Sequence, residues 1–414
     1  MSIFFHTFWR SSSTYIFNKY RNPIFNTYWY FEPYNECMSR CTQTFLATHN
    51  STSWDSGHGF FSDPYYREYL PFWHEPYGIR GFHDDFSFQN FFPVGDLPPA
   101  EKEYLLSLEK WAKEQNKLPA YGFCRSLCRV GQIRTLLGGK HFVQYRNPHE
   151  MLRSSIDKGL LGFTLLILKG IAPGSLPHRL GMVIPARIDA YAHAIPSHGW
   201  DMNFVAPFPE LLQLHFESWV ISTIAGAFYA DYTFNVNEMY YSQQYRLDVE
   251  KNLHELTGFD VHFDDIKLKN KEKSPVFDPR MLEYAIDKYI GNREKIKKFQ
   301  IALEEISGLP VIQPVQTIER LAEQFLLEYQ GSSDNAVGYK AIDIAHELLE
   351  DLSQHYIDGE KVQAALREDL RSCSSGNVAQ NALRAELDAV YASKSWRVTR
   401  PLRAGRALVR KLFR

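Results

Sequence analysis

The first glycine of this 414-residue chain is Gly57, so a glycine-rich phosphate loop is excluded from its N-terminal stretch. That stretch also lacks the Gly-Lys-Ser/Thr signature of magnesium-dependent nucleotide triphosphatases. Cysteine is scarce and odd in number, at Cys37, Cys41, Cys124, Cys128 and Cys373, which argues against a disulfide framework. Two pairs stand at i,i+4, a spacing that puts both thiols on one helix face. Zinc sites favour tighter, loop-borne spacings, so buried thiols without metal are the expectation. No run of eighteen apolar residues occurs, and no membrane-spanning helix is expected. No basic-then-apolar leader precedes the first apolar run, which points to the cytoplasm. Net charge is only −2, so no global field draws nucleic acid, and none is expected as a partner.

Aromatic residues are plentiful, at 15% of the chain, and they crowd the first hundred positions. Residues 1–170 alternate short apolar runs with helical patterns, the signature of a parallel sheet flanked by helices. The expected strands are Ile3–Phe8, Thr27–Phe31, Ala120–Cys124 and His141–Tyr145, with a further strand-like run at Tyr232–Val236. Helices are expected over Tyr15–Arg21, Leu160–Lys169, Leu211–Tyr229 and Asp248–Thr257. The long stretch from Asn50 to Pro99, rich in Gly, Pro, Asp and rings, reads as a lid or an insertion. Its Phe60, Phe61, Tyr65, Tyr66, Phe72, Trp73 and Tyr77 offer flat faces for sugar rings or form a satellite core.

The charged run Lys267–Lys273 with Pro275 marks a domain boundary. Residues 1–270 form one domain, 275–390 a helical region and 391–414 a basic tail. Within the helical region, Arg280–Leu303, Thr317–Tyr329, Tyr339–His355 and Lys361–Leu370 show helical spacing. From Lys394 to Arg414 the chain carries eight Lys or Arg and no acid. Gly405–Arg414 has the length for a last short helix.

Two segments suit an anion. In the first, an apolar run ends at Arg10 and four hydroxyl residues follow, Ser11, Ser12, Ser13 and Thr14, before a helical pattern. A strand that turns directly into a helix presents backbone N–H groups and the positive end of the helix dipole at one point. Arg10 and the hydroxyls add donors there. In the second, a strand ends at Arg146, Asn147 is a good N-cap and Pro148 fits the first helical position. Ser154 stands nearly two turns past Asn147 and shares a face with the cap, so Arg146 and Ser154 can converge on one phosphate.

Together the segments resemble the 3′-phosphoadenosine 5′-phosphosulfate-dependent sulfotransferases. Trp9-Arg10-Ser11-Ser12-Ser13-Thr14 is similar to the 5′-phosphosulfate loop of the carbohydrate branch, with serine at Ser12 where that branch usually has glycine. If the turn requires φ > 0 there, serine costs on the order of 1 kcal/mol more. Arg146 and Ser154, with Asn-Pro after the arginine, are similar to the clamp for the 3′-phosphate. Tyr30-Phe31-Glu32-Pro33 is similar to the aromatic-Glu-Pro segment whose glutamate is taken as the catalytic base. The resemblance covers roughly residues 1–260. It implies a three-layer α/β fold with a parallel sheet of the P-loop nucleoside-kinase-like type.

The resemblance assigns Glu32 as the base for the acceptor hydroxyl and Arg10 as the stabiliser of charge on the departing phosphate. An ordinary capping or salt-bridging carboxylate is the other reading of Glu32. His58 and His74 are rival bases, and Arg125, after the third strand, lines the donor cleft or caps the sheet. No metal is implied. The basic tail interleaves cations with apolar residues and suits an anionic membrane surface. Tyr391 through Arg403 is also similar to an ending found on many bacterial glycan-assembly enzymes. The expectation is a cytoplasmic enzyme, peripheral on the inner membrane face, that sulfates a saccharide or glycolipid acceptor. A catalytically inactive scaffold in a glycan-assembly complex and a nucleotide-dependent phosphotransferase are the alternatives.

Overall fold

A computed structural model describes residues 1–50, 63–194, 209–266 and 280–330. Five parallel strands form its sheet: β1 (Ile3–His6), β2 (Thr27–Phe31), β3 (Leu118–Phe123), β4 (Lys140–Tyr145) and β5 (Tyr232–Asn235), in spatial order β2-β3-β1-β4-β5. The sheet lies in the chain where the apolar runs were expected, but β1 is shorter. It stops at His6, and Phe8 and Trp9 turn off the ladder to pack against Phe91, Phe163 and His215. β3 starts two residues earlier than Ala120, because Leu118 is paired with Thr27.

The helices between the strands are α1 (Ser13–Tyr20), α2 (Gln43–Thr48), α3 (Pro99–Glu114), α4 (Val130–Leu137), α5 (Pro148–Asp157), α6 (Gly162–Lys169), α7 (Leu176–Arg179), α8 (Ala186–Ala194) and α9 (Pro209–Tyr229). After β5 come α10 (Val236–Tyr241), α11 (Gln243–Thr257), α12 (Arg280–Ile290), α13 (Arg293–Ser307) and α14 (Val315–Gln330).

Alternation along each strand sends successive side chains to opposite faces. On one face Phe5 meets Phe142 and Trp29, and α1 covers them through Tyr20. On the other, Phe4 stacks on Tyr121 and His141. Tyr121 donates from this face to Glu109 on α3 at 2.8 Å, and Val143 packs beneath Gly226 of α9. The molecule is therefore an α/β protein of three layers, with helices on both faces of an all-parallel sheet.

Helices α12, α13 and α14 share the core of the second face. Leu282, Ile286, Phe299 and Phe325 belong to one buried cluster with Trp219 and Phe228 of α9. The single helix expected over Arg280–Leu303 is two. Asn292 caps α13, accepting from the Lys295 N–H at 3.0 Å, and the chain turns there after Gly291. The boundary expected at Lys267–Lys273, the helical patterns Tyr339–His355 and Lys361–Leu370, and the tail 391–414 lie outside the described residues.

A buried polar chain crosses the sheet. Ser126 Oγ, His6 Nδ1, His6 Nε2 and His141 Nδ1 are linked at 2.7 and 3.0 Å, and His141 Nε2 meets the Gly138 carbonyl at 2.9 Å. A carbonyl only accepts, so His141 carries its proton on Nε2. His141 Nδ1 then accepts from His6 Nε2–H, and His6 Nδ1 accepts from the serine hydroxyl. Both rings are neutral: burial holds His141 down to about 3, and burial, then His141, keeps His6 well below its ordinary value.

Candidate functional site

All the groups singled out at strand ends sit along the carboxyl edge of the sheet. Helix α1, which follows β1, covers one face. Helices α4 and α5, which follow its neighbours β3 and β4, pack with α9 on the other. Connections that diverge in this way open a crevice at the carboxyl ends of the strands, where ligands of open α/β sheets bind.

The two anion segments meet in that crevice. Arg10 Nε donates to Ser154 Oγ at 2.8 Å across 144 positions. Burial and then the charge of Arg146 hold the Arg10 guanidinium below the ordinary arginine value, so the two cations lie close enough to repel. Arg146 Nη2 donates to Glu150 Oε2 at 2.8 Å, and its Nε is buried without a partner. Asn147 caps α5 as expected, accepting from the N–H groups of His149 and Glu150.

The serine loop is left-handed at two points. Arg10 and Ser12 both have φ 65°. Ser12 thus adopts the conformation for which glycine is favoured, and it supplies no side-chain cap to α1. Ser11 is fully buried; its hydroxyl faces Met151 Sδ at 3.5 Å and its carbonyl accepts from Gln144 at 2.8 Å. Its side chain ties the loop to α5 instead of lining the crevice. Ser13 is bonded to the Cys124 thiol, and Thr14 is buried.

Glu32 directly follows β2, with φ 44°. Its Oε1 accepts from Cys124 Sγ at 3.1 Å, and its Oε2 accepts from Arg125 Nη1 at 3.0 Å and Asn35 Nδ2 at 2.5 Å. Arg125, only 3% exposed, spends its other arm on Glu36 Oε2 at 2.5 Å and lies over the rings of Phe88 and Phe163. Burial opposes the charge on Arg125, but Glu36 and Glu32 more than restore it, and its pKa rises. Glu36 itself is pushed up by burial. Burial and then Glu32 push the Cys124 thiol up, so it stays protonated and donates. Glu32 partly offsets the lowering of the Arg10 pKa by burial and Arg146, which places the carboxylate within electrostatic reach of that arginine.

Five described non-glycine residues have positive φ. Asn26 and Asn116 are of the type that tolerates it; the others are Arg10, Ser12 and Glu32. Left-handed backbone at ordinary residues costs roughly 1–2 kcal/mol each and gathers at functional sites. Its confinement to one sheet edge marks that edge.

The spacing of the sequence motifs did not reveal Cys124, Glu36, Glu150 or the double role of Arg125. The signals present were weak: Glu32 and Glu36 four apart, and a glutamate three after Asn147. Neither cysteine pair lies on an α-helix. Cys37 is in a short turn from Glu36 to Ser39, and Cys128 is in another from Leu127 to Arg129. Both pairs are buried, and no group of His, Cys, Asp and Glu suited to a metal occurs among the described residues.

In the aromatic stretch, Tyr65, Tyr66, Tyr69 and Phe72 are core residues packed with Tyr30 and Phe31, while Tyr77 is exposed. His74 is exposed, with Nδ1 at 2.8 Å from the Glu75 carbonyl. His58, Phe60 and Phe61 lie outside the described residues.

These features define an α/β protein with arginines, carboxylates and strained backbone gathered at the carboxyl edge of its sheet. Family models, curated proteins and solved structures give no match to this chain. No helix among the described residues is long and apolar enough to cross a membrane.

Proposed function

We propose that the protein is a sulfotransferase that moves a sulfuryl group from 3′-phosphoadenosine 5′-phosphosulfate to a saccharide hydroxyl. Its sheet is then of the P-loop nucleoside-kinase-like type. One observation carries the reading: Arg10 and Ser154, from two independent anion motifs, are hydrogen-bonded beside Arg146. The acceptor oxygen attacks sulfur as the bond from sulfur to the phosphate oxygen breaks. Adenosine 3′,5′-bisphosphate leaves with the bonding electrons, and Arg10 with the loop N–H groups meets the charge that develops. Arg146 and Ser154 hold the 3′-phosphate. The acceptor proton passes to Glu32, and Oε1 is the oxygen suited to take it, because its partner is the weak thiol donor of Cys124. The reaction asks for no metal.

The engagement of both Glu32 oxygens favours a second reading, an inactive sulfotransferase-like scaffold in a glycan-assembly complex. Release of adenosine 3′,5′-bisphosphate from the donor, measured over a panel of saccharide and lipid-linked acceptors, separates the two. Acceptor-dependent release supports the enzyme, and donor binding without release supports the scaffold. Turnover of ATP with magnesium, absent the sulfate donor, supports a phosphotransferase instead. The acceptor belongs to a bacterial surface polysaccharide or lipid-linked glycan on this reading, and residues 391–414 hold a cytoplasmic enzyme to the inner membrane face. Flotation with anionic liposomes tests that placement; equal partitioning without the tail contradicts it.

A further inference from the structure

Arg146 is engaged by the chain itself, through Glu150. An asparagine N-cap with glutamate three residues later normally closes a capping box, the glutamate reaching back to the N-cap N–H. Here the Asn147 N–H donates at 3.0 Å to Asn237 Oδ1, from helix α10 beyond β5. Asn237 Nδ2 donates to Glu150 Oε2 at 2.9 Å, and Asn237 is itself fixed by its N–H on Asn235 Oδ1 at 2.9 Å. Asn237 has taken over the capping duty, and the Glu150 carboxylate is turned onto Arg146 at 2.8 Å. A carboxylate thus stands where, on the function proposed above, a 3′-phosphate must approach.

We propose that Glu150 is a specificity-determining residue: it neutralises Arg146 in the empty site and yields the guanidinium only to a dianionic phosphate. This rests on the reading that the site takes a 3′-phosphorylated adenosine. A phosphate dianion carries nearly twice the charge of the carboxylate and more acceptor oxygens, so it competes successfully. A nucleotide without the 3′-phosphate leaves the Arg146–Glu150 pair intact and gains nothing from it. Glu150 also offsets the repulsion between Arg10 and Arg146 when no anion is present. Its cost is a lower affinity for the proper ligand, which favours product release.

Calorimetric titration of the full chain with adenosine 3′,5′-bisphosphate and with adenosine 5′-monophosphate tests the proposal. Glu150→Gln keeps an acceptor oxygen for Arg146 and Asn237 but removes the charge. It is expected to bind the bisphosphate roughly threefold to tenfold more tightly at low salt, less so at high salt, and the monophosphate unchanged. Glu150→Ala is expected to raise the ratio of the two affinities likewise, since the ratio cancels any disorder common to both complexes. A bisphosphate affinity that is unchanged or weaker in Glu150→Gln, or an equal gain for both nucleotides, overturns the proposal. Wild-type protein that binds neither nucleotide overturns the sulfotransferase reading, and this inference with it. Wild-type binding of the bisphosphate with an unaltered ratio in both variants overturns this inference alone.

Discussion

Arg125 Nη1 stands 3.0 Å from Glu32 Oε2, and the same guanidinium holds Glu36, so one buried cation fixes two carboxylates at the edge of the sheet. Removing one member of a buried ionic cluster leaves the others uncompensated, which typically costs about 3–5 kcal/mol. Arg125→Met is therefore expected to lower stability by an amount in that range. Urea denaturation measures it, and a loss below about 1 kcal/mol contradicts the clamp as described.

Glu32→Gln retains the size of the side chain but removes the proton acceptor, and its amide NH2, a donor, must face either the Cys124 thiol or Arg125 and Asn35, which are donors themselves. Sulfuryl transfer is expected to fall by roughly 10²–10⁴-fold, with affinity for adenosine 3′,5′-bisphosphate nearly preserved. Steady-state turnover paired with calorimetry checks the split. Full turnover in Glu32→Gln passes the role of base to a histidine.

Ser12 sits at φ 65° without capping α1. Ser12→Gly relieves the left-handed strain while loosening the unfolded chain, two effects of about 1 kcal/mol that oppose one another. The expected change in stability is within about 1 kcal/mol of zero. A glycine placed in the same loop at Ser11, whose side chain is buried against Met151, is expected to destabilise more. Thermal unfolding of both variants tests the contrast.

The buried histidines predict acid sensitivity. Burial holds His141 and His215 down to about 3 and His149 to about 4, against an ordinary value near 6.5. Between these values the unfolded chain binds protons that the folded chain excludes, so stability rises with pH through this window. Stability is expected to be lost as pH falls from about 6.5 towards 4, with no contribution from these rings above 6.5. His141→Asn or His215→Asn is expected to flatten the profile of folding free energy against pH. An unchanged slope contradicts neutral burial.

Much of the fold was legible because each strand is a short apolar run bounded by polar residues, as with Thr27–Phe31 before Glu32 and His141–Tyr145 before Arg146. The early end of β1 was not: Phe8 and Trp9 are as apolar as the strand, and their departure depends on Phe91 and Phe163, far off in sequence. The break at Gly291-Asn292 had a local signal, a glycine stop followed by an asparagine cap, within a helical pattern that ran past it. Arg146 was legible directly after β4, and Arg10 and Ser12 after an apolar run that overshoots the end of β1 at His6. The Glu32–Arg125–Glu36 array was not, since it joins residues about ninety positions apart and only the sheet order brings β2 beside β3. The diversion of Glu150 by Asn237 has the same origin, in the pairing of β4 with β5.

On the function proposed above, Arg10 and Arg146 grip one ligand together. Titration of adenosine 3′,5′-bisphosphate into wild-type protein, Arg10→Met, Arg146→Met and the double variant tests it most directly. One site is expected in the wild type, a loss of about tenfold to a hundredfold in each single variant, and a double variant that is not the sum of the two. A wild type without affinity for the bisphosphate, or single variants that bind as it does, contradicts the account.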